Sequence, residues 1–365
     1  MLNKKTGLED VVAAETEICH VDGIHGDLIY RGYRAKELAL RCSFEEAAFL
    51  LWRGHMPGDA ELRAFSERLA LFRVLPPALR KLLDAMPAEA PAISVMMAAC
   101  AAMAEAGLDR PPSEEQALRI TALLPVILAY RYRSVRGIAW NDRPEAAGHV
   151  DHLLRLLLGR APSEAHVRAM TAYMVLTMEH GLNASTFAAR VVASTESDLY
   201  SAVGAAIGAM KGPLHGGAPA GVLALLDDIG TKERAEPFLS ELLERGRKLP
   251  GFGHRVYKTT DPRAEALREV AGSLACGDPW LDLAVHVERT GVRLLRQFKP
   301  GRELYANVEF YAAAVMRAAG LPPELFTPVF SAARAVGWTA HVLEQAANNR
   351  IYRPQSVYVG PMPAE

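Results

Sequence analysis

The sequence predicts a mainly α-helical protein with one small β element near its N-terminus. Most of the chain is rich in alanine and leucine and carries capping residues where helices would start. Strand-like runs are confined to residues 15–30, and there is no βαβ alternation, internal repeat or low-complexity tract.

The elements follow in chain order. ETEICHVDGIHGDLIY, residues 15–30, holds two short runs separated by Gly23 and Gly26, a small sheet. Ser43-Phe44-Glu45-Glu46 is a capping box, in which the serine oxygen accepts from the third helical amide and Glu46 reaches back. The nearly apolar run from Ala92 to Ala104 is too short for a membrane span and suits a buried helix. Ala172–Met178 and Ala202–Met210 are apolar nearly all round, as expected of helices buried in a large helical protein. Asp278-Pro279 and Thr327-Pro328 each place a capping oxygen before a proline suited to the first helical position. After Asp278, the residues Ala284, Val287, Gly291, Leu294 and Phe298 recur at intervals of three and four, an amphipathic stripe. Glycine and proline gather at 212–219, 250–262 and 320–328, candidate loops and hinges, and Asn141–Gly148 reads as a surface connection.

At 365 residues, 50% hydrophobic and 23% charged, the chain has the profile of a soluble globular protein with one large domain or two unequal ones. Lysine plus arginine number 41 against 42 acids, so no global charge draws it to nucleic acid or membrane. An anionic ligand must then be held by local arginines. Cys19, Cys42, Cys100 and Cys276 have neither CxxC nor zinc spacing and read as reduced thiols, mostly core, of a cytoplasmic protein. The start, MLNKKTGLEDVV, carries acids early and no apolar export signal.

Three histidines stand in unusual settings. His215, in KGPLHGGAP, sits on a tight turn just before a predicted helix. There the dipole lowers its pKa, and a neutral imidazole can donate to a carbonyl that is becoming an enolate; alternatively it caps its own helix. His254 follows Gly251-Phe252-Gly253, where the backbone can approach a ligand closely. That segment is no dinucleotide fingerprint, since a third glycine and a preceding strand are missing. His180 ends a buried helix and is followed by Gly181, Asn183, Ser185 and Thr186, which line a cavity or form a core network.

Arg263 lies in the first turn of a helix beginning at Asp261-Pro262, where the dipole disfavours a cation. An anion beside it, such as a substrate carboxylate, would remove the conflict, and so would full solvation. Glu309, in YANVEFYAAAV, is an isolated acid in an apolar stretch; burial would raise its pKa towards that of a useful base, and exposure would not. His20 and His25 have no third ligand beside them, so no metal site is expected.

Together these segments resemble the citrate synthases of the shorter bacterial and archaeal type. The resemblance runs from ETEICHVDGIHGDLIYRGY through HGLNAST, GPLHGGAP, GFGHRVYKTTDPR, NVEF and FTPVFSAARAVGWTAHVLEQ to NNRIYRPQSVYVG. It implies a mostly helical homodimer, with residues 1–217 and 326–365 in a large domain and 218–325 in a smaller mobile one. It also implies an acyltransferase condensing acetyl-CoA, a substrate and not a cofactor, with oxaloacetate. In that role His215 would bond the thioester oxygen, Glu309 would take the methyl proton, and His254 would polarise the keto oxygen. His180 and Asn183 would help hold oxaloacetate; Arg263, Arg334 and Arg353 would grip its carboxylates, Arg353 reaching in from the partner subunit. Pro250, Gly251, Phe252 and Gly253 would face the CoA adenine, with Lys258 and Arg255 near its phosphates. The family pattern has aspartate at the position of Glu309, and the extra methylene moves the carboxylate by roughly 1 Å. Propionyl-CoA as the acyl donor, or a weakly active regulatory homologue, are the alternatives.

Overall fold

An apolar helical stripe has to be covered by another element, and sixteen α-helices among the described residues do this by packing on one another. The computed structural model describes residues 6–8, 11–104, 110–141, 145–216, 218–274 and 279–363. Strands β1 (Cys19–Asp22), β2 (Asp27–Tyr30) and β3 (Tyr33–Arg34) form one antiparallel sheet in that order, with Val21 opposite Leu28. The two runs read in residues 15–30 are both found. The third strand is too short to show a period. The helices are α1 (Ala35–Arg41), α2 (Phe44–Arg53), α3 (Asp59–Leu71), α4 (Pro77–Ala85), α5 (Ala92–Ala101), α6 (Glu114–Ser134), α7 (His149–Leu158) and α8 (Glu164–Thr177). They continue with α9 (Ala184–Ser194), α10 (Leu199–Met210), α11 (Ala218–Ile229), α12 (Lys232–Glu244), α13 (Pro262–Leu274), α14 (Pro279–Phe298), α15 (Val308–Ala318) and α16 (Phe326–Ala347).

Ser43 caps α2 as its spacing predicts: Oγ accepts from the Glu46 amide at 3.1 Å, and the Ser43 amide donates to Glu46 Oε2 at 2.7 Å. The structure departs from the sequence reading at two points. A 3-10 turn, Pro323–Leu325, runs straight into α16, which starts at Phe326, and Thr327 Oγ1 donates to the Gly216 carbonyl instead of capping. The stripe of α14 is buried through Leu294, but Phe298 is exposed. Cys100 is buried in the core, and Cys19 and Cys42 are half-buried and pack against it. Asp278 and Cys276 lie outside the described residues.

Helix α16 is buried along most of its length and packs on α6, α8, α9 and α10. Helices α11 to α15 pack largely on one another, α13 and α11 on α15 and α12 on α14, while α13 and α15 also meet α8. No helix of the described residues is long and apolar enough to cross a membrane. One close crossing depends on a missing side chain. A Cβ on Gly337 would collide with Oε2 of Glu179 and the carbonyl of Met178. Gly337→Ala is therefore expected to lower stability by about 1–3 kcal/mol. The measurement is a lower urea midpoint at unchanged m-value; an unmoved midpoint would mean that the crossing relaxes freely.

Candidate active site

Three separate segments bring His215 and His254 within electrostatic reach of His180. The rings of His180 and His254 lie edge to face with centroids 5.4 Å apart, and His180 Nε2 is 3.1 Å from the Tyr257 hydroxyl. Burial, then Arg263 and His254, hold the imidazole of His180 well below its usual pKa.

His254 is set by a paired turn. Gly251 and Gly253 adopt left-handed backbone at φ 79° and 81°, and a Cβ on Gly251 would press on Val222 and Phe310. The Gly253 amide donates to the Tyr305 carbonyl at 2.8 Å and the Asn307 amide to Gly251 at 2.9 Å, with Phe252 bridged to Ala306. Beyond the turn, His254 Nδ1 accepts from the amides of Val256 at 3.0 Å and Tyr257 at 3.2 Å. Burial and the Arg263 charge push this imidazole down to about 4, so near pH 7 it is neutral. Its one proton is then on Nε2. That nitrogen lies 3.2 Å from Arg263 Nη2. A guanidinium can only donate, so two donors face each other, and the place they share calls for an acceptor oxygen.

Arg263 is buried in the first turn of α13 and paired with Asp261, Nε to Oδ1 at 3.0 Å and Nη2 to Oδ2 at 2.8 Å. The anion that reconciles this arginine with the helix dipole is thus a side chain of the protein itself, Asp261. Asp261 also accepts from the Arg263 amide at 3.0 Å and the Val308 amide at 3.1 Å. Burial raises its pKa, but the Arg263 guanidinium outweighs that and holds the carboxyl below the usual range.

Glu309 lies in the first turn of α15. Asn307 caps that helix, Oδ1 accepting from the Glu309 amide at 3.0 Å, while its Nδ2 donates to the Gly253 carbonyl at 2.9 Å. One side chain thereby fixes both the His254 turn and Glu309. Burial pushes the Glu309 carboxyl up to about 7, against the pull of Arg263 and Arg334. This is the pKa of a base matched to neutral pH. Arg334, on α16, is buried, with Nε donating to the Thr177 carbonyl and the guanidinium over the Phe330 ring.

His215 lies on the turn after α10, its amide bonded to the Gly212 carbonyl at 3.0 Å. Nε2 is 2.8 Å from Ser185 Oγ, so the ring reaches across to α9 rather than capping α11. Burial, then Arg334, push it down to about 4. Asn183 caps α9, its Oδ1 accepting from the amides of Ser185 and Thr186 at 3.1 Å each.

The remaining candidates lie further out. Pro250 packs against Gly221 and Phe252 meets Phe310 edge to face, while Arg255 and Lys258 are exposed, with Lys258 Nζ donating to the Arg255 carbonyl. Arg353 is not brought to the histidines of its own chain. It is exposed on the C-terminal segment and lines a groove of about 990 Å³ with Arg31, Arg190 and Glu344. His25 bonds Asp22 through Nδ1 at 2.7 Å, and among the described residues no three potential ligands gather around a metal position. Sequence reasoning named Ser185 only within the polar cluster after His180, and missed the site roles of Asp261, Asn307, Tyr257 and Trp338, whose Nε1 donates to Ser185 Oγ. Asn307, just before an apolar helical run, carried a capping signal; Tyr257 and Trp338 carried none.

The site thus offers donors for an oxygen-rich anion, three neutral imidazoles and a carboxylate of near-neutral pKa. Comparison with known proteins gives the chain's family. The model of the citrate synthase C-terminal domain matches residues 7–355. A citrate synthase of Haloferax volcanii is 39% identical, covering 98% of this chain and 96% of its own. A 2-methylcitrate synthase of Shewanella oneidensis is also 39% identical, covering 98% and 95%. Among solved structures, the ternary complex of carboxymethyl coenzyme A and oxaloacetate with the citrate synthase of Thermoplasma acidophilum superposes with a TM-score of 0.90 at 31% identity, covering 98% and 97%. Matched nearly end to end by sequence and by fold, the chain belongs to the citrate synthase family.

Proposed function

We propose that the protein condenses acetyl-CoA with oxaloacetate and water to give citrate and CoA. The observation that carries this reading is the meeting of two donors, His254 Nε2–H and Arg263 Nη2, at 3.2 Å. An oxo acid supplies what they lack: a keto oxygen for His254 and a carboxylate for Arg263, with Arg334 taking further negative charge. Glu309 removes the methyl proton of the thioester, and His215 donates to the enolate oxygen that forms. The carbanion carbon attacks the keto carbon, whose oxygen gains charge against His254. Water then cleaves the citryl thioester.

Several parts of the reading rest on the family resemblance. They are closure of residues 218–325 over the large domain formed by 1–217 and 326–365, a cytoplasmic homodimer, and Arg353 of the partner subunit on a substrate carboxylate. CoA would lie along Pro250–Gly253 with Lys258 and Arg255 at its phosphates. The similarity to a 2-methylcitrate synthase favours a second reading, propionyl-CoA as donor. One methylene in an apolar pocket is worth about 1–3 kcal/mol, so both donors should react.

Release of CoA thiol from each acyl-CoA in the presence of oxaloacetate tests the assignment. Acetyl-CoA should give the higher kcat/KM; a preference for propionyl-CoA reverses the choice of donor, and no release from either defeats both readings. The pH profile follows from the base. Glu309 works ionised, and its pKa is about 7. Below that pH kcat should fall about tenfold per unit as the carboxylate protonates, and above it should level off. His215 and His254, at about 4, stay neutral throughout this range and add no second limb.

A further inference from the structure

Ser185 is fully buried at the start of α9, and its hydroxyl oxygen has three polar neighbours. Trp338 Nε1 lies at 3.0 Å, Asn183 Oδ1 at 2.8 Å and His215 Nε2 at 2.8 Å. A hydroxyl has one proton and two lone pairs. The indole N–H only donates, so it fills one lone pair. Asn183 presents its amide oxygen, because that atom already accepts two backbone N–H groups as the cap of α9. An oxygen so placed can only accept, which commits the Ser185 proton to Asn183. One lone pair remains, and His215 can meet it only by donating from Nε2.

We infer that Asn183 is a positioning residue that holds resting His215 in the Nε2–H form, leaving Nδ1 bare. Trp338 fills the lone pair that would otherwise be spare, so all three contacts of the Ser185 hydroxyl are satisfied in this arrangement alone. The other form, Nδ1–H, requires the Ser185 hydroxyl to turn to His215 Nε2 while its oxygen lone pair faces Asn183 Oδ1. Donation from Nδ1 to a thioester oxygen needs that other form. The change moves one proton within the imidazole, released from Nε2 and taken up at Nδ1 through water, with no net gain or loss. Occupation of the site by a thioester would select it, since the substrate oxygen supplies the acceptor that Nδ1–H otherwise lacks among the described residues. This catalytic consequence rests on the function proposed above; the resting tautomer does not.

Nitrogen-15 NMR of the full-length protein with labelled histidine separates the two forms, because bare and protonated ring nitrogens differ widely in shift. His215→Asn identifies the signals. At pH 7 without ligand, Nε2 should be protonated and Nδ1 bare; a resting Nδ1–H form overturns the inference. Asn183→Ser keeps a capping oxygen for α9 on a shorter arm, withdrawing the acceptor from Ser185. It should shift the tautomer ratio about tenfold towards Nδ1–H, the worth of one hydrogen bond; an unchanged ratio in the folded variant removes Asn183 from the role. Should that variant not fold, Ser185→Ala takes its place. Loss of the Nε2 partner should then give a mixture of both forms, and an undiminished Nε2–H population overturns the inference. None of these readings uses turnover. A wrong tautomer leaves the condensing function standing, and absence of CoA release by the wild type would defeat that function without moving the tautomer.

Discussion

Glu309→Gln is expected to lower kcat about 10³-fold while leaving oxaloacetate affinity within about threefold. Glutamine keeps the length and shape of the side chain but cannot accept a proton from carbon. The Glu309 carboxylate makes no hydrogen bond or ion pair with any described residue, so no partner is orphaned. Its amide stays capped by Asn307. An uncharged amide also removes the cost of ionising a buried group, so the variant should be no less stable than the wild type. Steady-state CoA release gives kcat, and a thermal shift with oxaloacetate gives binding. A fall of less than tenfold would place the base elsewhere. A parallel loss of affinity would mean that Glu309 shapes the oxo-acid site instead of acting on the acyl donor.

The glutamate also shows which parts of the site sequence could reveal. An isolated acid in an apolar run is a local anomaly, and burial explains both its visibility and its raised pKa. The capping box at Ser43 was legible for the same reason, because donor and acceptor are three residues apart. Thr327 misled because proline also fits the second or third position of a helix, and only the turn at Pro323–Leu325 decides where α16 starts. Arg263 was recognised as a charge in need of an anion, yet that anion, Asp261, stood two residues away and was read only as the start of a helix. The protonation of His254 depends on the backbone amides of Val256 and Tyr257, which have no sequence signature at all. Ser185 and His215 are 30 residues apart, and Ser185 and Trp338 are 153 apart. Such pairs exist only once α9, α16 and the turn after α10 have packed together.

The second large effect concerns the buried pair itself. Arg263→Met should lower stability by about 3–5 kcal/mol at pH 7, because Asp261 would remain buried with an uncompensated charge. It should also weaken oxaloacetate binding by about 100-fold, since methionine supplies no donor opposite His254 Nε2. The pH dependence separates the two causes. In the wild type, Asp261 is held below the usual carboxylate range, so its ion pair stabilises the fold above that range and is lost on acidification. In the variant the guanidinium is gone and burial, the largest influence on this carboxyl, raises it, so protonation becomes favourable and stability falls as pH rises. The gap between the two proteins should therefore be widest near neutral pH and narrow as pH drops towards 4, as urea midpoints would register. Adding Asp261→Asn to Arg263→Met removes the stranded charge and keeps an oxygen for the amides of Arg263's position and Val308. Most of the stability should return, while oxaloacetate binding should not. Recovery of both would mean that Arg263 serves only the fold; recovery of neither would mean that the packing of the guanidinium, and not its charge, holds α13 in place.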